Sequence, residues 1–143
     1  MREALRKMLI LHEGLELKPY RCTAGKLTIG IGRNLDDVGI TKEEALYLLN
    51  GDINRAVEEV ERYLPWVKTL DNVRMLVLVD MAFNMGILGL LKFKKMLAAV
   101  ELGDYAKAAD EMVSSKWYVQ VGNRGRRLVL MMRTGVLAKE LRG

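Results

Sequence analysis

The sequence predicts an α+β fold that is mostly helical. Three observations point there. Residues 15 to 32 carry the two-residue alternation of a strand pair, whereas the rest of the chain is apolar at three-four spacing. Glycine and proline punctuate the helical stretches. The chain has 143 residues, 50% of them apolar and 29% charged, which suits one globular domain with its own core. The expected layout is a β-lobe over about 14–40 and a connecting helix over about 41–62. A helical lobe over about 66–143 completes it and takes in the N-terminal helix. A cleft between lobes is the expected place for a site.

Residues 2 to 12 read as a helix, with Leu5, Met8, Leu9 and His12 on one buried face and Gly14 ending it. A β-hairpin follows. Leu27, Ile29 and Ile31 alternate with Lys26, Thr28 and Gly30, so Thr28 is expected to point away from the apolar face. Gly25 can supply the left-handed backbone of a tight turn. Residues 33 to 40 read as a polar connection. Thr41-Lys42-Glu43-Glu44 matches a capping box, and a long helix should run from it to about Arg62. Gly51 is the place for a bend, and Pro65 is the stop. Six acids against three bases between Thr41 and Arg62 favour a solvated helix.

The remainder reads as helices. One covers about 70 to 85, with Val73, Leu76, Val77 and Met81 inward, and another about 91 to 99. Asp104 caps the next, which buries Tyr105, Ala108, Ala109 and Met112. Gly122-Asn123 precedes a basic helix to Thr134, and Gly135 terminates it. Met8, Met75, Met81, Met85, Met96, Met112, Met131 and Met132 are read as core side chains.

Composition narrows the function classes. The single cysteine excludes an internal disulfide framework, and one histidine argues against a histidine-rich metal site. No cofactor or metal is expected. The start Met1-Arg2-Glu3-Ala4-Leu5-Arg6-Lys7 lacks the apolar core of a signal peptide. The apolar run Met75 to Val79 is broken by Asp80, short of the roughly 18 residues that span a membrane. Synthesis in the cytoplasm without membrane insertion is therefore expected. The net charge is +5, and Ser114 to Gly143 carries seven cations against Glu140 alone. Such a segment attracts polyanions, among which nucleic acid, anionic lipid and bacterial wall all qualify.

Chemistry concentrates in one short run. Glu13 closes the first helix, Cys22 lies in the hairpin, and Thr28 lies on the returning strand. An acid, a possible base and a polar orienter are the groups glycoside hydrolysis needs around a sugar bond. Glu13 is the candidate general acid. It must hold a proton near neutral pH, and burial or neighbouring groups are the expected means. Cys22 as thiolate could take a proton from attacking water or attack the sugar itself; a lone cysteine is also commonly a small buried apolar residue. Thr28 could hold the water or the 2-acetamido region of the sugar. Phe83, Asn84 and Trp117 are candidates for a sugar-packing wall, although core packing explains the two aromatics as well.

These residues resemble the phage-type lysozymes, the endolysins of T-even and related phages. The resemblance rests on Glu13-Gly14-Leu15, Tyr20, Gly25 and Thr28-Ile29-Gly30-Ile31-Gly32. It resumes at Ile40-Thr41-Lys42-Glu43-Glu44-Ala45, Leu70-Asp71-Asn72-Val73-Arg74 and Met81-Ala82-Phe83-Asn84-Met85-Gly86. It continues at Ser115-Lys116-Trp117-Tyr118, Asn123-Arg124 and Arg133-Thr134-Gly135, in collinear order over nearly the whole chain. The family implies a lysozyme-like fold and a muramidase that cleaves the β-1,4 bond between N-acetylmuramic acid and N-acetylglucosamine in peptidoglycan. It also implies a monomer that reaches the wall through a separate holin-type protein, with no nucleic-acid partner. In relatives an arginine matching Arg124 pairs with the acid. Cys22 stands where the family's commonest triad has aspartate, and the stretch from Arg33 to Thr41 is shorter than in the T-even type, so a smaller β-lobe is expected. Two other functions fit parts of the sequence: a lytic transglycosylase, in which Glu13 acts alone and 1,6-anhydro ends form, and a basic wall- or nucleic-acid-binding protein, which needs neither Glu13 nor Thr28.

Overall fold

The computed structural model describes all residues from Met1 to Gly143. The chain folds as α1 (Arg2–Glu13), β1 (Glu16–Arg21), β2 (Leu27–Gly30), β3 (Arg33–Asn34) and α2 (Lys42–Tyr63). A 3-10 turn at Pro65–Thr69 leads to α3 (Asn72–Leu91), α4 (Lys94–Glu101), α5 (Tyr105–Val113), α6 (Lys116–Val121) and α7 (Asn123–Thr134). The class is α+β, mostly helical and lysozyme-like, as expected. The chain divides into two compact units, Met1–Leu49 and Asn50–Gly143, with the boundary inside α2. The helix α1, grouped with the helical lobe by the sequence, falls in the first unit.

In the first unit, Gly14 adopts φ 74° and its N–H bonds Ile10 O, so the helix ends there. The three strands form one antiparallel sheet in the order β1-β2-β3. Register pairs Tyr20 with Thr28 and Thr28 with Asn34. The third strand was not expected: residues 33–40 were read as a polar connection because Arg33 and Asn34 carry no apolar alternation. Two further expectations are corrected. The stripe Leu5, Met8, Leu9 and His12 is exposed, because a sheet this small covers no helix face. Thr28, expected to face away from the apolar side, is the buried member of β2 at 4% exposure. Its flanking strands cover it from both sides, and a hydrogen bond satisfies its hydroxyl.

The capping box forms as read. Glu44 N donates to Thr41 Oγ1 at 3.1 Å, and Thr41 N donates to Glu44 Oε1 at 2.8 Å. The same carboxylate holds Arg33 in a two-pronged pair, with NH1 to Oε1 at 2.8 Å and NH2 to Oε2 at 2.6 Å. This ties β3 to the start of α2. The helix then crosses Gly51 without interruption, and Pro65 opens the next turn.

In the second unit the core gathers Val60, Leu78, Met81, Leu90, Met96, Val100, Met112 and Met132, all nearly or fully inaccessible. The methionine reading therefore holds for Met81, Met96, Met112, Met131 and Met132, while Met8 is exposed. Leu76, placed inward by spacing, is exposed as well. Helix α3 is broken at Gly86, whose backbone is non-helical (φ 79°, ψ 161°), so its first helical run ends at the expected residue 85 and a second runs on to Leu91. The whole stretch Asn72–Leu91 passes a length-and-hydropathy test for a membrane span, but its helical backbone is interrupted at Gly86. Its packing is that of a core helix. It carries Arg74 and Asp80, and both tie it to α7.

Candidate active site

Cys22 and Thr28 are brought together by the first hairpin. Cys22 N donates to Lys26 O at 3.0 Å, and Gly25 N donates to Cys22 O at 2.8 Å, so the turn folds back over the sulfur. The Cys22 thiol is held below the ordinary thiol value. The backbone N–H of Lys26 is the main cause, that of Ala24 the next, and the Thr28 hydroxyl adds to both, against a smaller opposing effect of burial. Hydrogen bonds to the charged form favour it, which is why a polar turn suits a thiolate.

Thr28 Oγ1 donates to Lys26 O at 2.8 Å. A hydroxyl has one proton, so it serves either that carbonyl or a deprotonated Cys22 sulfur. The rotor can switch between them as the thiol titrates.

Glu13 lies in the last turn of α1 and is exposed, so the burial expected of a general acid is not supplied by the first unit. Its carboxyl group lies against Gly32, in the turn between β2 and β3. The Cys22 turn lies at the other end of β2. The acid and the thiol thus flank one four-residue strand.

The remaining candidates belong to the second unit. Arg124 Nε donates to Asp80 Oδ1 at 2.8 Å, and this acid on α3 is the partner the structure gives it. Sequence reading assigned that part to Glu13 and treated Asp80 only as a break in an apolar run. A charge inside such a run was the available signal that a partner was needed. Trp117 is 5% exposed and packs edge-on against Phe93 with ring centroids 5.9 Å apart. It is core and not an open sugar platform. Its indole N–H donates to Asn84 Oδ1 at 3.0 Å, which orients the Asn84 amide and leaves its NH2 group to donate elsewhere. Phe83 is half exposed and keeps an open face. A groove of about 800 Å³ lies between α7 and the C-terminal tail, lined by Arg126, Arg127, Leu130, Val136, Lys139 and Arg142 among others, and it holds none of these candidates.

A small three-stranded sheet, a long helix and a helical unit make up a lysozyme-like α+β fold. The sequence model described as phage lysozyme matches residues 11–133. Probable T4-type lysozyme 1 of Dictyostelium discoideum is 31% identical, over 96% of this chain and 98% of that protein. The pre-baseplate central spike protein Gp5 of Enterobacteria phage T4 is 32% identical over 94% of this chain, which matches 28% of that longer protein. The SAR-endolysin of Escherichia phage Mu is 28% identical, over 89% of this chain and 73% of its own. The chain belongs to the phage lysozyme family, and it is a peptidoglycan hydrolase of the glycosidase type.

Proposed function

We propose that the chain is a muramidase that cleaves the β-1,4 bond between N-acetylmuramic acid and N-acetylglucosamine and so lyses bacterial cells. Glu13 donates its proton to the leaving glycosidic oxygen. Cys22, as thiolate, accepts a proton from the water that attacks the anomeric carbon. Thr28 holds Cys22 in that form. Phe83 offers an apolar face to a sugar ring, and the Asn84 amide donates to an acetamido carbonyl. Arg124, paired with Asp80, keeps α7 in place beside Asn84's helix. The protein works as a monomer, is made in the cytoplasm, and reaches the wall when a separate holin-type protein opens the membrane.

One observation carries this reading: the hairpin closes a polar turn around Cys22, with Lys26 and Thr28 beside it, and holds its thiol below the ordinary thiol value. A merely structural cysteine needs no such environment.

The test is digestion of purified peptidoglycan followed by mass spectrometry. Reducing N-acetylmuramic acid ends are expected. Ends carrying 1,6-anhydro rings would replace hydrolysis with transglycosylation. Glu13→Gln should abolish clearing of permeabilised Gram-negative cells, and clearing at the parental rate would remove Glu13 from the mechanism. Cys22→Asp should keep much of the activity, while Cys22→Ala should lose about a hundredfold or more, the usual contribution of a general base.

A further inference from the structure

We infer that Gly32 is a positioning residue for the Glu13 carboxyl group. The proposal rests on Glu13 as the proton donor and adds the element that aims it. A β-carbon at position 32 would lie 2.7 Å from Glu13 Oε2, 2.9 Å from Cδ and 3.1 Å from Cγ. Three successive atoms of the acid therefore rest on the bare backbone of the β2–β3 turn. Any side chain at this position would push the carboxyl group off that surface. Within its own unit Glu13 makes no side-chain hydrogen bond or salt bridge, and the bare backbone of Gly32 is the surface its carboxyl group lies against.

The surface under the acid is itself held. Arg33, the next residue, is gripped by both oxygens of Glu44 and donates to Gly39 O at 3.1 Å. The backbone at Gly32 therefore has little freedom to yield, and a collision there would move Glu13.

The end of β2, two residues earlier, supplies a control. Gly30 and Gly32 have nearly equal positive φ values, 69° and 68°. A β-carbon at Gly30 would meet nothing within 4 Å. Alanine at either position imposes the same left-handed strain, and only at position 32 does it also strike the acid.

The experiment measures kcat, KM and thermal unfolding on soluble peptidoglycan fragments for Gly32→Ala, Gly30→Ala and Glu13→Gln. Gly32→Ala should lower kcat about tenfold to a hundredfold, the scale of a displaced catalytic group, with KM within about twofold. Gly30→Ala should match it in melting temperature and keep most of the parental kcat. Equal kcat losses in the two alanine variants, or an unchanged kcat in Gly32→Ala, would overturn the proposal while Glu13→Gln remains inactive. Parental turnover by Glu13→Gln would overturn both this inference and the muramidase reading. Should Gly32→Ala fail to fold, Glu44→Gln tests the same surface by loosening its anchor. A kcat lowered about threefold at unchanged KM is expected, and an unaltered kcat would refute the positioning role.

Discussion

At the scale of single residues, the acid-base question turns on how a thiol replaces a carboxylate. A carboxylate is ionised at neutral pH without help, whereas an ordinary thiol is mostly protonated there. The hairpin closes part of that gap by presenting the N–H groups of Lys26 and Ala24 and the Thr28 hydroxyl to the sulfur. The pH dependence of Cys22 alkylation by iodoacetamide should therefore show a midpoint below that of an unstructured cysteine peptide. Thr28→Val removes one of these donors and should move the midpoint upward. A midpoint unmoved in Thr28→Val would mean that the hydroxyl stays on Lys26 O in both states. The placement of Glu13 at a helix end, Cys22 in a turn and Thr28 on a strand was legible in the sequence, because the three share one short run with strand and turn signals. The inward orientation of Thr28 was not. Its flanking apolar residues suggested the opposite face, and a two-residue strand with no apolar pattern, Arg33–Asn34, completes the cover over it.

At the scale of elements, helix ends explain much of the architecture. Helix α7 ends at Gly135, whose φ of 68° is left-handed. Arg74 on α3 reaches that end, with Nε donating to Met132 O at 2.7 Å and NH2 to Arg133 O at 3.2 Å. Its guanidinium also lies 3.6 Å from the centre of the Tyr105 ring. One side chain thus satisfies the free carbonyls of α7 and ties together three helices. With Asp80 and Arg124 further along, α3 and α7 are clasped antiparallel at two points. Gly135→Ala places a β-carbon 2.7 Å from Arg74 NH1 on top of the left-handed strain. It should lower unfolding free energy by about 1–2 kcal/mol from strain alone, and by more if Arg74 is displaced, as chemical denaturation would show. Arg74 and Gly135 were visible in the sequence, but the bond from Arg74 to Met132, 58 positions away, was not, since periodicity reports only local neighbours. The Arg33–Glu44 clasp makes a second element-scale prediction. Arg33, and next the Thr41 N–H, pull the Glu44 carboxyl down to about 2. A depressed acid stabilises the fold above its unfolded value and loses that contribution as pH falls toward the folded one. Stability should therefore decline between about pH 4.5 and pH 2. Glu44→Gln should be less stable at neutral pH and show a flatter profile across that window.

At the scale of the whole molecule, the charge is distributed against its fold units. The net charge is +5, yet the seven cations from Ser114 onward face one acid there, while the stretch Thr41 to Arg62 is acidic. Neutralisation by ion pairs is partial: Arg127 meets Glu140, Arg133 meets Asp110 and Arg124 meets Asp80. Arg126, Lys139 and Arg142 have no acidic partner and line one groove with Leu130 and Val136. Peptidoglycan stem peptides carry carboxylates, so this cationic surface should speed encounter with the wall without touching the reacting bond. Encounter of that kind is screened, because the Debye length falls from about 10 Å at 0.1 M salt to about 3 Å at 1 M. Clearing of intact wall sacs should slow severalfold over that range, while turnover of a short, uncharged oligosaccharide fragment should stay nearly constant. The triple change Arg126→Gln, Lys139→Gln and Arg142→Gln should reproduce the high-salt rate on sacs at low salt and leave fragment turnover intact. If the triple variant keeps the full salt dependence of the parent, the attraction resides elsewhere on the chain. If fragment turnover falls with it, those cations act in the chemistry, and encounter is not their role.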